Sequence, residues 1–166
     1  MNKSYPVRTE SRLLARLPPS EFRRLLPRLQ PVPLNCKQVL YKALSSIEYA
    51  YFPNSGLIAA LTYMENGSTI ESAIIGNDGV IGLPLFLGAT ISSNWVIVQL
   101  AGDALRIGAE ALQEEASRNG PFRELLLRYQ EAFLAQVLQD VACNGLHTVK
   151  QRCCRWLLLM SGFRES

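Results

Sequence analysis

Histidine is all but absent: the 166 residues hold one, His147. A cupin-type metal site normally needs several histidines and a carboxylate, so that small-barrel chemistry is excluded. A single imidazole also weakens triad and dyad readings, and no catalytic residue is expected. Cysteine is scarce too. Cys36, Cys143, Cys153 and Cys154 contain no Cys-x-x-Cys pair, and the vicinal pair does not bridge easily within a helix. Four buried or half-buried thiols in a reducing compartment are expected, with no metal and no cofactor. Long hydrophobic runs are missing. The longest, Val80 to Ala89, has ten residues and contains Gly and Pro, too short to span a bilayer. Residues 1–11 are polar and lack the apolar core of a secretory signal, so a cytoplasmic chain with no membrane partner is expected.

What is present suits a folded domain. Hydrophobic residues make up 48% and charged ones 19%, which excludes wholesale disorder. The length allows one domain, or one domain and a fragment of a second, and folding buries roughly 70% of the unfolded surface. The net charge of +3 is unevenly spread. Residues 1–30 carry seven Lys/Arg against two acids, residues 31–117 three against eight, and residues 118–166 seven against four. An acidic middle between basic ends reads either as an approach to nucleic acid or as solvated helix faces.

Residues 1–32 read as helical. Pro18-Pro19-Ser20-Glu21 starts a helix, and Phe22, Leu25, Leu26 and Leu29 recur at three-to-four spacing. Pro27 limits it, and Pro31 and Pro33 close it. Leu13, Leu14 and Leu17 suggest a short turn before it. Residues 33–121 contain short runs of β-branched and aromatic residues separated by turn signals. Strands are expected near Val39–Lys42, Glu48–Phe52, Leu57–Met64, Ser68–Ile75, Trp95–Leu100 and Ala104–Ile107. Asn66-Gly67 predicts a type I′ hairpin turn. Ile70, Ser72 and Ile74 do not alternate cleanly with polar partners, so some sheet faces are covered on both sides. A short helix follows over Ala109–Ser117.

Residues 122–144 predict a long helix with apolar residues on more than one face. That fits either burial within one domain or a partner helix. Leu127, Leu134 and Val141 lie seven apart, a weak coiled-coil seam. Leu126, Phe133, Val137 and Val141 are the expected dimer contacts. Asn144-Gly145 is expected to end this helix, and Thr148 with Gln151 forms a capping box for the next, Val149 to about Met160. Asn144, Gly145 and Thr148 are therefore the expected hinge within segment 145–166. The last helix carries Cys153, Trp156, Leu157 and Met160 on one face, six residues before the sequence ends.

Several segments together carry a resemblance: Val39-Leu40-Tyr41, Tyr51-Phe52-Pro53-Asn54-Ser55-Gly56, Gly79-Val80-Ile81-Gly82-Leu83-Pro84, and Ala142-Cys143-Asn144 with His147-Thr148-Val149, Arg152 and Arg155-Trp156-Leu157-Leu158. In that order they resemble the Crp/Fnr family of bacterial transcription regulators, from about Leu13 to Met160. The resemblance implies an α+β fold: an antiparallel β-roll, or jelly-roll barrel, of the cyclic-nucleotide-binding type. It implies short N-terminal helices and a long dimerisation helix flanking the roll. It also implies a homodimer, and DNA contact only through a C-terminal helix-turn-helix of which residues 149–160 would be the first helix.

Nucleotide-binding members carry a cassette that begins Gly-Glu and ends Arg-Ser/Thr-Ala. The Glu takes a ribose hydroxyl, and the Arg pairs with the cyclic phosphate. Here Gly82 matches the Gly, Leu83 replaces the Glu, and Ser92, followed by Ser93, stands at or near the Arg position. Residues 82–95 contain no Lys, Arg, Asp or Glu. The polar pair that meets the base on the long helix maps to Val137 and Leu138. Cyclic nucleotides are therefore not expected to bind in the usual mode, and any that did would need a cation from elsewhere, such as Arg106. An iron–sulfur member needs a cysteine cluster where Cys36 stands alone, and a haem member needs axial ligands where His147 lies at the hinge. The effector is either absent or small and apolar. A true cyclic-nucleotide receptor module is the alternative.

Overall fold

A computed structural model of the chain describes residues 9–162, and side chains as far as Leu158. The fold divides into two compact units, Met1–Leu127 and Arg128–Ser166.

The first unit opens with a 3₁₀ turn over Leu14–Arg16, in which Leu13, Leu14 and Leu17 are buried. Helix α1 (Pro19–Leu25) has proline in its first turn, where the missing N–H costs nothing, and passes into a 3₁₀ turn at Leu26–Arg28. Pro27 sits at that transition, as its ring requires. Seven strands follow: β1 (Gln30–Leu34), β2 (Val39–Tyr41), β3 (Tyr49–Pro53), β4 (Leu57–Tyr63), β5 (Thr69–Ile75), β6 (Trp95–Leu100) and β7 (Gly102–Gly108). They form two antiparallel sheets, in the orders β1-β7-β3 and β2-β6-β4-β5. Helix α2 (Leu83–Phe86) lies between β5 and β6, and α3 (Ala109–Ser117) follows β7. This is the expected antiparallel β-roll with helices.

Strand β1 falls where prolines were expected only to close a helix. Pro31 and Pro33 are two residues apart, so both missing donors lie on the same side. In an edge strand that side can face away from β7, and the ladder loses nothing. The same prolines block a further strand from adding to that edge.

The β4–β5 hairpin differs from a type I′ turn. Gly67 has φ +81°, but Asn66 does not have positive φ, and Gly67 N–H bonds Met64 C=O at 2.9 Å. This is a three-residue connection ending in a left-handed glycine, and it leaves Glu65 and Asn66 unstrained.

Buried side chains from both sheets and the N-terminal turns build the core, with Phe52, Ile58, Leu105, Ile107 and Leu112 almost wholly enclosed. Phe122 and Leu126, from the first two turns of helix α4 (Pro121–Leu146), belong to it as well, and the Phe122 ring lies 6.4 Å from that of Phe52. Glu115 on α3 is 2% exposed and meets Arg24, Arg28 and Arg118, which tie the N-terminal helices to α3.

The second unit holds the rest of α4 and α5 (Val149–Gly162). Helix α4 runs through Asn144-Gly145 to Leu146, so the break comes at His147-Thr148, later than expected. Gly145 does not have the left-handed φ that would stop a helix. The capping box does form: Gln151 Oε1 accepts from Thr148 N–H at 2.9 Å, and Gln151 N–H donates to Thr148 Oγ1 at 3.4 Å. Arg155 of α5 bonds Asp140 at 2.6 Å and Cys143 Sγ at 2.9 Å on α4. Cys143 is buried, whereas Cys36, Cys153 and Cys154 are exposed, contrary to the expectation of four sheltered thiols. Among the described residues, no helix is long and apolar enough to cross a membrane.

Candidate functional site

The segment Gly82–Trp95 forms a compact loop between the sheets' strands. Gly82 has φ +97° and leads into α2. A Cβ built on it meets Ala50 Cα, Ala50 Cβ and the Tyr41 hydroxyl, each at 2.9 Å. Only glycine fits both the dihedral and the space. Tyr51 and Ile81 exchange two backbone hydrogen bonds at 2.9 Å and fix the approach to this glycine.

After α2 the chain turns back through Ala89 N–H to Pro84 C=O at 2.9 Å. It is then fastened to the β2–β3 loop. Ile47 N–H bonds Thr90 C=O, Ser92 N–H bonds Ser45 C=O, and Leu44 N–H bonds Ser92 C=O, at 2.8–2.9 Å. Leu44 has φ +63° and lies almost fully exposed. Leu83 is half-buried, Ser92 buried and Ser93 exposed. The Ser92 hydroxyl is spent on Asn94 C=O at 2.7 Å, and that of Ser93 on Asn94 Oδ1 at 2.7 Å. Neither hydroxyl is held out as an anion donor.

The polar groups beside the loop form an uncharged chain. Asn94 Nδ2 donates to Thr62 Oγ1 at 2.9 Å, and Thr62 and Ser72 share a hydrogen bond at 2.5 Å. Cations approach only from outside the segment. Lys42 Nζ lies 5.9 Å from the Trp95 ring centre, and the Arg123 guanidinium 5.9 Å from that of Phe86. Lys42 and Arg123 were not singled out from the sequence, because only the fold brings residues this far apart in the chain together. Tyr41 was quoted there only as part of a motif. It donates to Tyr49 C=O, and burial, with a smaller contribution from Tyr51, pushes its phenol well above the usual 10. A tyrosine in that state is a neutral packing group with one donor, not an acid. Among the described residues no group of three or more His, Cys, Asp or Glu is placed to hold a metal.

The remaining expected site residues lie on α4. Val137 is half-buried and Leu138 is 61% exposed. Leu126 is 1% exposed and fully committed to the first unit, so it has no surface to offer a partner, contrary to expectation. Phe133 is half-buried and stacks on Tyr129, with ring centres 5.9 Å apart. Leu134 and Val141 are 56% and 64% exposed, and Leu127 also stands open. At about 100° per residue, Leu127, Leu134, Leu138 and Val141 share one stripe about 60° wide, while Leu126 and Phe133 lie about 100° round the helix from its centre. The seven-residue seam, not the set Leu126, Phe133 and Val137, is the open apolar surface. His147 is exposed, and its backbone N–H closes the last turn on Cys143 C=O at 2.9 Å.

No protein-family model matches the sequence, and no curated protein does. Solved structures match well. FixK2 from Bradyrhizobium japonicum aligns with a TM-score of 0.69 at 15% identity, covering 80% of this chain and 65% of that one. CLP, the c-di-GMP-responsive global regulator of Xanthomonas campestris, aligns at 0.66 with 15% identity, over 83% of this chain and 70% of its own. A cyclic nucleotide-binding domain from Methylobacillus flagellatus aligns at 0.65 with 15% identity, over 80% and 77%. The structural neighbours of this chain are thus Crp/Fnr family regulators and cyclic-nucleotide-binding domains, and the fold it shares with them is that of the cyclic-nucleotide-binding domain.

Proposed function

We propose that the chain is the sensory and dimerisation region of a Crp/Fnr-like bacterial transcription regulator. In this reading it is a cytoplasmic protein and not an enzyme, and its β-roll no longer takes cyclic nucleotides in the usual mode. Gly82 keeps the backbone of the cassette, while Leu83 and Ser92 replace the charged contacts with an aliphatic group and a hydroxyl already spent on Asn94. In this reading the effector is either absent or small and apolar. Reading of a DNA sequence is not assigned to the residues described.

The observation that carries the dimer is the open stripe on α4. Leu134, Leu138 and Val141 are each more than half exposed and share one face of the helix. Water-exposed leucines at seam spacing are stabilised by a second helix, at about 1.5–3 kcal/mol for each side chain fully covered. The homodimer is the partner this reading requires. Sedimentation equilibrium at micromolar concentration tests it. The wild type is expected to run as a dimer, and the double variant Leu134→Asp, Leu138→Asp as a folded monomer by circular dichroism. A wild type that sediments as a monomer overturns the reading.

A further inference from the structure

Arg106 is the one cation on the three-stranded sheet among the described residues, and it is not paired with a carboxylate. It stands on β7, directly opposite Gln30 of β1 on one side and Tyr51 of β3 on the other. Its guanidinium lies 4.1 Å from the Tyr49 ring centre, so the ring face holds the cation in place. Its Nε donates to Gln30 Oε1 at 3.2 Å. The same cation acts on the Tyr51 hydroxyl by charge and by hydrogen bonding, against the larger effect of burial, which raises that phenol. Glu48, which is exposed, acts on Tyr51 too, but less strongly than Arg106 does.

The hydrogen-bond inventory of this corner is one-sided. Gln30 has given its acceptor oxygen to Arg106, which leaves its NH₂ group to donate. Tyr51 lies opposite Arg106 in the register, within reach of its charge, and carries a hydroxyl that can donate. The guanidinium has further N–H groups beyond Nε and no acceptor. Three neighbouring side chains from three adjacent strands thus offer donors around a single positive charge. That constellation complements an acceptor-only group carrying negative charge. The strands of a paired sheet hold it, so little ordering is left for binding to cost.

We propose that the corner formed by Arg106, Gln30 and Tyr51 is a binding site for a small oxyanion, a carboxylate or a phosphate group. It lies outside the Gly82–Trp95 segment and does not depend on the chain being a regulator.

The test uses the full 166-residue chain, titrated separately with inorganic phosphate and with acetate at constant ionic strength made up with chloride. The Arg106 side-chain N–H resonance and the thermal midpoint are followed. At least one of the two anions is expected to give a saturable shift with a midpoint on the order of 1–10 mM, the range that two charge-assisted hydrogen bonds support. Saturation by phosphate alone assigns the site to phosphate groups, and saturation by acetate assigns it to carboxylates. Arg106→Gln is expected to lose the anion-dependent rise in thermal midpoint. Gln30→Glu, at an exposed position, places a carboxylate of the chain itself on the guanidinium and is expected to raise the midpoint at least about tenfold. Non-saturating responses to both anions, or a Gln30→Glu protein that titrates like the wild type, would overturn the proposal.

Discussion

Replacing Gly82 by alanine tests whether the loop between β5 and β6 is held as tightly as its contacts require. Two costs are separable. The first is conformational: φ +97° lies in the region that L-residues avoid, at about 1–2 kcal/mol. The second is steric. The new methyl would sit 2.9 Å from Ala50 Cα, Ala50 Cβ and the Tyr41 hydroxyl, and backbone atoms cannot step aside as a flexible side chain can. Overpacking of that kind costs about 1–3 kcal/mol. The expected loss is about 2–5 kcal/mol, or about 5–20 °C in thermal midpoint. Gly67→Ala is the control, because Gly67 shares the positive φ, at +81°, but has nothing within 4 Å of its Cβ position. Only the conformational part, about 1–2 kcal/mol, applies there. Urea unfolding of both variants, read as a change in midpoint at constant slope, gives the difference. If Gly82→Ala costs no more than Gly67→Ala, Gly82 is not packed against Ala50 and Tyr41, and the description of this loop is wrong.

Alkaline pH should act through Tyr41. Its folded pKa lies well above 10 because it is buried, so its contribution is intact below about pH 10 and is lost as the pH rises from there toward the folded value, at about 1.4 kcal/mol per pH unit. Tyr41→Phe should flatten that part of the stability–pH curve, and an unchanged slope between about pH 10 and 11 would argue against burial as the cause. DNA binding by this chain should be weak. Lys150 and Arg152 are exposed on α5, Arg155 is occupied by Asp140, and Arg164 lies outside the described residues. Such cations position a protein on phosphates without reading bases, so a dissociation constant on the order of 10⁻⁴–10⁻⁶ M at physiological salt is expected, falling in affinity with salt and indifferent to sequence. Nanomolar preference for one duplex over a random one in a mobility-shift assay would show that a reading surface exists.

Much of the roll was legible because its signals are local. Glycine and asparagine turns bracket short runs such as Trp95–Leu100, and α3 was bounded by its own flanks. Strand β1 was not legible, because Gln-Pro-Val-Pro-Leu lacks β propensity, and only pairing with β7 makes it a strand. The end of α4 was misread for a similar reason: Asn-Gly suits a helix stop, but whether it stops one depends on the φ that the next helix imposes. The lack of charge across residues 82–95 was legible in the sequence itself. The surroundings of that segment were not. Asn94 bonds Thr62, and Tyr41 meets Tyr49 and Gly82, and nothing in the spacing of these positions shows those meetings. The open stripe on α4 was visible as a seven-residue repeat, yet Leu126, which fills the core, was also chosen, because apolar identity alone does not separate the face that fills the core from the face left open.

Calorimetric titration with cyclic AMP and cyclic GMP is the most direct test of whether a cyclic-nucleotide-binding fold has here lost its nucleotide chemistry. Two charge-assisted contacts are absent, together about 3–6 kcal/mol, which corresponds to roughly two to four orders of magnitude in affinity. The expected result is no saturable heat with either nucleotide up to about 1 mM, a concentration at which binding is worth only about 4 kcal/mol. Micromolar, saturable binding of either nucleotide, weakened by Ser92→Ala or by Leu83→Ala, would contradict it and place the ligand in the segment between Gly82 and Trp95 after all.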